Sequence, residues 1–193
     1  MSQVLIVGAT RGLGASLVKA YAARSSTHVF GTSRGSSAPA GIDNVTYISD
    51  IDIATEAAGK KLAAAVQQSA KQLDLVIVNA GYFGKESFEK PDWDAEVKMY
   101  TTSSIGPVFL IHHLWKHGLL KKGSKIILVS SESGSITLRH EKEGGGNYGH
   151  HASKTALNMV GKLLSLDLKD DGVAVGIVHP GFMVSMPLRT CSW

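Results

Sequence analysis

The sequence predicts an α/β protein built on a doubly wound parallel sheet of about six strands, with helices on both faces. Short apolar runs alternate with helical periods along the chain, the pattern of strands linked by crossover helices. One run, Leu75-Val76-Ile77-Val78, is apolar at every position, as a parallel strand covered on both faces requires. A glycine-rich turn, Gly8-Ala9-Thr10-Arg11-Gly12-Leu13-Gly14, follows the first strand and opens the first helix. At 193 residues the chain fits one domain, residues 1–193, with a substantial core.

Val4 to Val7 form the first strand. Leu13, Leu17 and Tyr21 then repeat at helical spacing, with Val18 on the same face. His28 to Thr32 read as the second strand and Val45 to Ile48 as the third. An alanine-rich helix is expected from Asp52 to about Gln72, carrying Ile53, Ala57, Leu62 and Val66. After the fourth strand a long helical region covers Trp93 to Leu120, followed by a strand at Lys125 to Ser130. Ser153 to Leu168 read as a helix and Val173 to Val178 as the sixth strand. Gly, Ser and Pro mark Arg34 to Asn44 as a loop, and Gly144-Gly145-Gly146 ends a second loop at Ser133 to Asn147.

Composition narrows the function. The net charge of +4 is spread over scattered lysine pairs, with no nucleic-acid motif, so nucleic acid is not an expected partner. The lone Cys191 allows no internal disulfide, which fits a reducing compartment. No signal peptide and no membrane-length apolar stretch is read, so a cytoplasmic protein without membrane partners is expected. His113 and His117 have i,i+4 spacing, but no acidic or cysteine ligand completes a set, and no metal is expected.

The glycine turn lets backbone N–H groups approach a pyrophosphate at the positive end of a helix, although a purely structural turn is the alternative. Together with Asn79-Ala80-Gly81 after the fourth strand and Ala152-Ser153-Lys154 on a later helix, it makes the chain resemble the short-chain dehydrogenase/reductase family. The likeness extends up to Pro180-Gly181. The Gly-Gly-Gly-Asn-Tyr approach to the later helix is most similar to the C-factor and Sniffer-like carbonyl reductase branch. The resemblance implies a Rossmann-like nucleotide site. Gly8, Thr10, Arg11, Gly12, Leu13 and Gly14 would hold the pyrophosphate, Asp50 beside Ile51 would meet the adenine, and Asn79, Ala80 and Gly81 would lie against the cofactor. Pro180, Gly181, Met183 and Ser185 match further cofactor-contacting positions, with Lys154. After Pro180-Gly181 the family continues with a substrate lid and a last strand, which this chain is expected to lack.

The cofactor expected is NADP(H) in preference to NAD(H). An NAD site places an acid at the end of the second strand, whereas Gly31-Thr32-Ser33-Arg34-Gly35 has none. Arg34 offers a planar fork for a 2′-phosphate, Ser33 a hydroxyl and Arg11 a second positive group; an exposed loop arginine is the alternative.

In the family a tyrosine acts as general acid/base, a serine hydrogen-bonds the substrate oxygen, a lysine lowers the tyrosine pKa, and an asparagine relays protons. Ser131 matches the serine and Lys154 the lysine. The tyrosine should stand four residues before the lysine, about 400° of helix and so on one face. That position is His150. Tyr148 lies six residues before Lys154, about 120° away from it on a continuous helix, and would reach the site only if the helix began late and the chain there were extended. Ser103 stands in the asparagine's place. Lys154 should lower the imidazole pKa below its usual value of about 6.5, leaving His150 a base at neutral pH. Glu132, beside Ser131, is a further candidate at the substrate cleft.

The expected function is an NADP(H)-dependent oxidoreductase interconverting a carbonyl and an alcohol, in specialised metabolism. It would act on a small molecule and form a homodimer or homotetramer through the helices around Ile105 to Leu114 and Ala156 to Leu168. The alternatives are a non-redox isomerase or cyclase on the same scaffold and a non-catalytic nucleotide-binding protein.

Overall fold

A computed structural model describes residues 1–39 and 41–181. Six strands, β1 (Ser2–Val7), β2 (Thr27–Thr32), β3 (Val45–Ile48), β4 (Leu75–Val78), β5 (Lys125–Val129) and β6 (Ala174–Val178), form one sheet in the order β3-β2-β1-β4-β5-β6. Every neighbouring pair is parallel. The helices are α1 (Gly12–Ala22), α2 (Ala57–Gln67), α3 (Trp93–Tyr100), α4 (Gly106–Lys116) and α5 (Tyr148–Asp167). This is the doubly wound, Rossmann-like sheet expected from the sequence, and its strand order reverses between β1 and β4.

Side chains alternate across the strands and divide the core in two. Val4 and Ile6 of β1 pack with Val18 of α1 and Val29 of β2 on one face. Leu5 and Val7 turn to the other face, where they join Leu62 and Val66 of α2, Leu110 and Leu114 of α4, and Leu157 of α5. The unbroken apolar character of β4 follows from this arrangement: Val76 and Val78 serve one cluster and Ile77 the other.

Three helices depart from the expected boundaries. The Asp52–Gln72 helix is shorter at both ends, running Ala57–Gln67; at its start the Asp52 carboxylate accepts from the Ala54 N–H at 3.1 Å and its carbonyl from the Thr55 N–H at 3.0 Å. This Asx turn holds the chain outside the helix until Ala57. The Trp93–Leu120 region is not one α-helix. Between α3 and α4 a π-helical turn spans Thr101–Ile105, with the Gly106 N–H donating to the Thr101 carbonyl. Pro107 has no N–H for the Ser103 carbonyl four residues back, which explains the widened turn. The helix ends at Lys116 because Gly118 adopts φ +69° and the Leu119 N–H returns to the Leu114 carbonyl. Finally, α5 begins at Tyr148, five residues before the expected Ser153.

Glycines allow the α2/α4 layer to approach backbone to backbone. A Cβ on Gly59 would lie 2.7 Å from the Phe109 carbonyl oxygen, and one on Gly106 would lie 2.1 Å from the Ile53 oxygen. Gly106→Ala is therefore expected to push α4 from the Ile53 turn and destabilise the fold by about 1–3 kcal/mol. Urea denaturation would show a lower midpoint; an unchanged midpoint would mean that the contact yields freely.

Candidate functional site

The polar residues of interest gather at the carboxyl edge of the sheet. Gly8 follows β1, Ser33 follows β2, Asp50 lies two residues beyond β3, Asn79 follows β4, and Ser131 and Pro180 each lie two residues past β5 and β6. In open α/β sheets this edge, at the point where strand order reverses, is where ligands bind.

The three glycines of the turn do different things. Gly8 has φ +82°, and a Cβ there would lie 2.7 Å from the Ala80 Cα. Gly14 lets α1 sit on the turn, since its Cβ would lie 1.9 Å from the Gly8 oxygen. Gly12, at φ +54°, faces open space with nothing within 4 Å. Arg11, the α1 N-cap, makes no side-chain capping bond, so the first-turn N–H groups of Gly12, Leu13 and Gly14 have no side-chain cap. A tight turn beneath an uncapped helix end with open space above it fits a dinucleotide pyrophosphate. Thr10 and Arg11 are exposed beside it. Asn79 does more than line this space: its amide donates to the Gly8 carbonyl at 2.9 Å, tying β4 to the turn. Ala80 packs under Gly8, and Gly81 is exposed.

At the end of β2, Arg34 is exposed and makes no hydrogen bond or ion pair among the described residues. Ser33 points the other way. It is buried, and its hydroxyl lies 2.7 Å from the Ser37 carbonyl and 3.0 Å from that of Gly35, both acceptors for its proton. In this structure its hydroxyl therefore supports the loop. Asp50 is exposed and lies 3.8 Å from the Lys61 Nζ, and Ile51 is buried below it. Pro180 and Gly181 are exposed after β6. Met183, Ser185 and the expected missing lid and last strand lie outside the described residues.

On α5, four-residue spacing brings His150 and Lys154 onto one side of a continuous helix. Lys154 is buried, with its Nζ donating to the Val129 carbonyl at 2.8 Å. Burial pushes its pKa down to about 8. His150 is half-buried, with its ring edge-on to Phe83 at a centroid distance of 5.1 Å. Its pKa is pushed down to about 4, first by burial, then by the Lys154 cation and then by His151. The direction is the one expected, but burial is a larger cause than the lysine. Tyr148 is the first residue of the helix and is exposed, with its hydroxyl on the Gly145 side. Because α5 is helical from Tyr148 onward, the extended entry that could bring Tyr148 to the site does not form.

Ser131 is half-buried after β5, and its Oγ accepts from the Ser133 N–H at 3.1 Å. Its neighbour Glu132 meets the His179 imidazole at 3.7 Å. Ser103 lies in the π-helical turn, 2% exposed, with its Oγ unpartnered among the described residues. His117 Nδ1 lies 2.8 Å from the His113 carbonyl, so that ring serves the end of α4.

The residues that shape the start of α5 were missed in the sequence. The N-cap, Asn147, is left-handed (φ 51°, ψ 41°) and gives no side-chain cap. Instead Glu86, in the loop after β4, accepts from the Gly149 N–H at 2.5 Å, and its backbone carbonyl accepts from the Asn147 N–H at 3.1 Å. The two residues joined through the Glu86 carboxylate are 63 positions apart, so no local pattern could reveal them. Phe83, the ring against His150, lies in the same loop and carries no motif of its own.

Among the described residues no helix is long and apolar enough to cross a membrane. The family model described as short chain dehydrogenase matches residues 2–190. A Rhodococcus sp. (strain AD45) protein, 1-hydroxy-2-glutathionyl-2-methyl-3-butene dehydrogenase, is 29% identical over 185 residues, spanning 96% of this chain and 79% of its own. The NADPH-bound carbonyl reductase from chicken fatty liver superposes with a TM-score of 0.80 at 26% identity, covering 94% of this chain and 79% of that one. The carbonyl reductase Sniffer of D. melanogaster gives 0.81 at 26% identity, covering 94% and 81%. The chain belongs to the short-chain dehydrogenase family and is an oxidoreductase of the carbonyl/alcohol class.

Proposed function

We propose that this protein is an NADP(H)-dependent oxidoreductase in which His150 replaces the family's tyrosine as the proton carrier. The supporting observation is the His150 ring, half-buried against Phe83 one helical turn before the buried Lys154. Gly8, Thr10, Arg11, Gly12, Leu13 and Gly14 would hold the pyrophosphate, with Asp50, Ile51, Asn79, Ala80, Gly81, Pro180 and Gly181 around the rest of the dinucleotide. Arg34 favours NADP(H), because an exposed guanidinium with no acid beside it at the end of β2 suits a 2′-phosphate. The chicken carbonyl reductase, solved with NADPH, lends support to this preference.

The bound nicotinamide supplies the hydride acceptor or donor. Ser131 would hydrogen-bond the substrate oxygen. With a pKa of about 4, His150 is unprotonated at neutral pH and is equipped to take the hydroxyl proton as an alcohol becomes a carbonyl. Lys154 uses one N–H on Val129 and keeps two for a cofactor hydroxyl. Its positive charge also keeps His150 from acquiring a proton. The direction that this pair favours at neutral pH is alcohol oxidation. Ser103, where the family has asparagine, would take that residue's place in proton relay through its unpartnered hydroxyl. Two departures among four catalytic positions support an activity redirected from vigorous ketone reduction, which we read as a role in specialised metabolism. A cytoplasmic homo-oligomer of a single domain completes the reading. Its contact would use the exposed Phe109 and Trp115 of α4 and Met159, Leu163 and Leu166 of α5.

Arg34→Ala should weaken NADPH about tenfold or more while sparing NADH, the loss of a charge-assisted contact of about 1.5–3 kcal/mol. Equal binding of both cofactors by the native protein, followed by fluorescence, would contradict the NADP preference. Alcohol oxidation should rise as pH climbs through about 4 and then level, because the base is the neutral imidazole. Carbonyl reduction needs the protonated ring and should fall about tenfold per unit above that pH. His150→Tyr should raise reduction at neutral pH and carry its limb upward, while Tyr148→Phe leaves both directions unchanged. Loss of activity in Tyr148→Phe but not in His150→Ala would transfer the role to Tyr148. Product isomerisation with no NADPH consumption would favour a non-redox enzyme instead. Light scattering at tens of micromolar should give at least a dimer mass; a strict monomer would refute the proposed contact.

A further inference from the structure

We infer that Glu86 is a positioning residue: its carboxylate clamps the N-terminus of α5 and fixes the rotation at which His150, rather than Tyr148, faces the site. This rests on the reading of His150 as the proton carrier. Three observations lead to it. The helix has no cap of its own, because Asn147 is left-handed and its side chain makes no capping bond. Glu86 supplies one from another element. It is 7% exposed, its Oε1 accepts from the Gly149 N–H, and its backbone exchanges contacts with Asn147 in both directions. Lastly, a Cβ on Gly149 would lie 2.6 Å from the Met99 Cε and 3.1 Å from the Glu96 Cα, so α3 meets α5 at that residue and leaves little room to roll.

The second carboxylate oxygen of Glu86 is buried and accepts from no ordinary donor among the described residues. Its neighbour is the Glu96 carboxyl, whose pKa is raised first by burial and then by a hydrogen bond and charge repulsion from Glu86. The Glu86 side chain lies at the positive end of α5, where an acidic group is favourable. Gly149, between Tyr148 and His150, is thus held from two sides: by Glu86 through its N–H and by α3 against its Cα.

Glu86→Ala and Glu86→Gln separate this clamp from general packing. Glutamine keeps an acceptor for Gly149 and offers an N–H to an ionised Glu96, so it should restore what alanine removes. In Glu86→Ala, loss of the cap should speed amide exchange at Gly149 and His150 about tenfold. The His150 NMR titration midpoint should also rise from about 4 toward the exposed-imidazole value of about 6.5 as the ring leaves Phe83, Lys154 and His151. NADPH affinity, measured on the same samples, should stay within about twofold and report that the sheet is folded. Unchanged exchange and an unchanged His150 midpoint in Glu86→Ala would overturn the clamp, as would equal losses in the alanine and glutamine variants. None of these readouts requires turnover. Failure of the redox reading would therefore appear as an absent reaction in a protein whose His150 midpoint still responds to Glu86→Ala.

Discussion

The rotation of α5 about its own axis is the constraint on which the site depends. The sheet brings Ser131 and the β5 carbonyl that holds Lys154 to its carboxyl edge, but α5 decides which residue of the Tyr148-Gly149-His150 triplet meets them. Neighbouring residues on a helix point about 100° apart, so a small change in where the helix starts would exchange one candidate acid/base for another. Small residues define the packed side of α5: Gly149, Ser153 and Gly161 are spaced by multiples of four and are buried with Lys154 and Leu157. Gly161 lies so near β6 that a Cβ would fall 2.6 Å from the Ile177 side chain. A helix held closely at both ends, by α3 and Glu86 at one and by β6 at the other, has a defined face.

Much of this architecture was legible in the sequence because its signals are local. Strands buried on both faces read as apolar runs, and the six strand positions and their alternation with helices follow from that pattern. The glycine turn was legible for the same reason: the tight turn and the close approach of α1 are backbone demands that only glycine meets at Gly8 and Gly14. The placement of His150 one turn before Lys154 on the same helix was also visible, since a spacing of four is a property of the helix alone.

What escaped the sequence depends on contacts between distant segments. The Asx turn at Asp52 competes with the helix by a side-chain bond that composition does not reveal, and the first turn of the Asp52–Gln72 helix was over-read. Pro107 was visible, but its effect two to six residues upstream was not recognised as a π-helical turn holding Ser103. The inward turn of the Ser33 hydroxyl to the loop carbonyls likewise carries no sequence signal. Glu86 had no signal at all, because its meaning comes from a helix end that arrives 63 residues later.

The fall in the His150 pKa has a consequence that replacement of a phenol by an imidazole does not by itself impose. Burial disfavours the charged form of either group, but the charged forms lie on opposite sides of their titrations. A tyrosine here would be neutral when protonated, and a neighbouring lysine cation would stabilise its anion and so make it a better acid. For histidine the protonated form is the cation, so burial and Lys154 act together against it. The same lysine that would promote proton donation by a phenol suppresses it in an imidazole. Lys154 is itself desolvated, with a pKa near 8, and at neutral pH it remains mostly charged and continues to exert that effect. Beside the same lysine an imidazole is thus biased toward its neutral form, so that under the proposed role it is suited to accepting a proton rather than donating one.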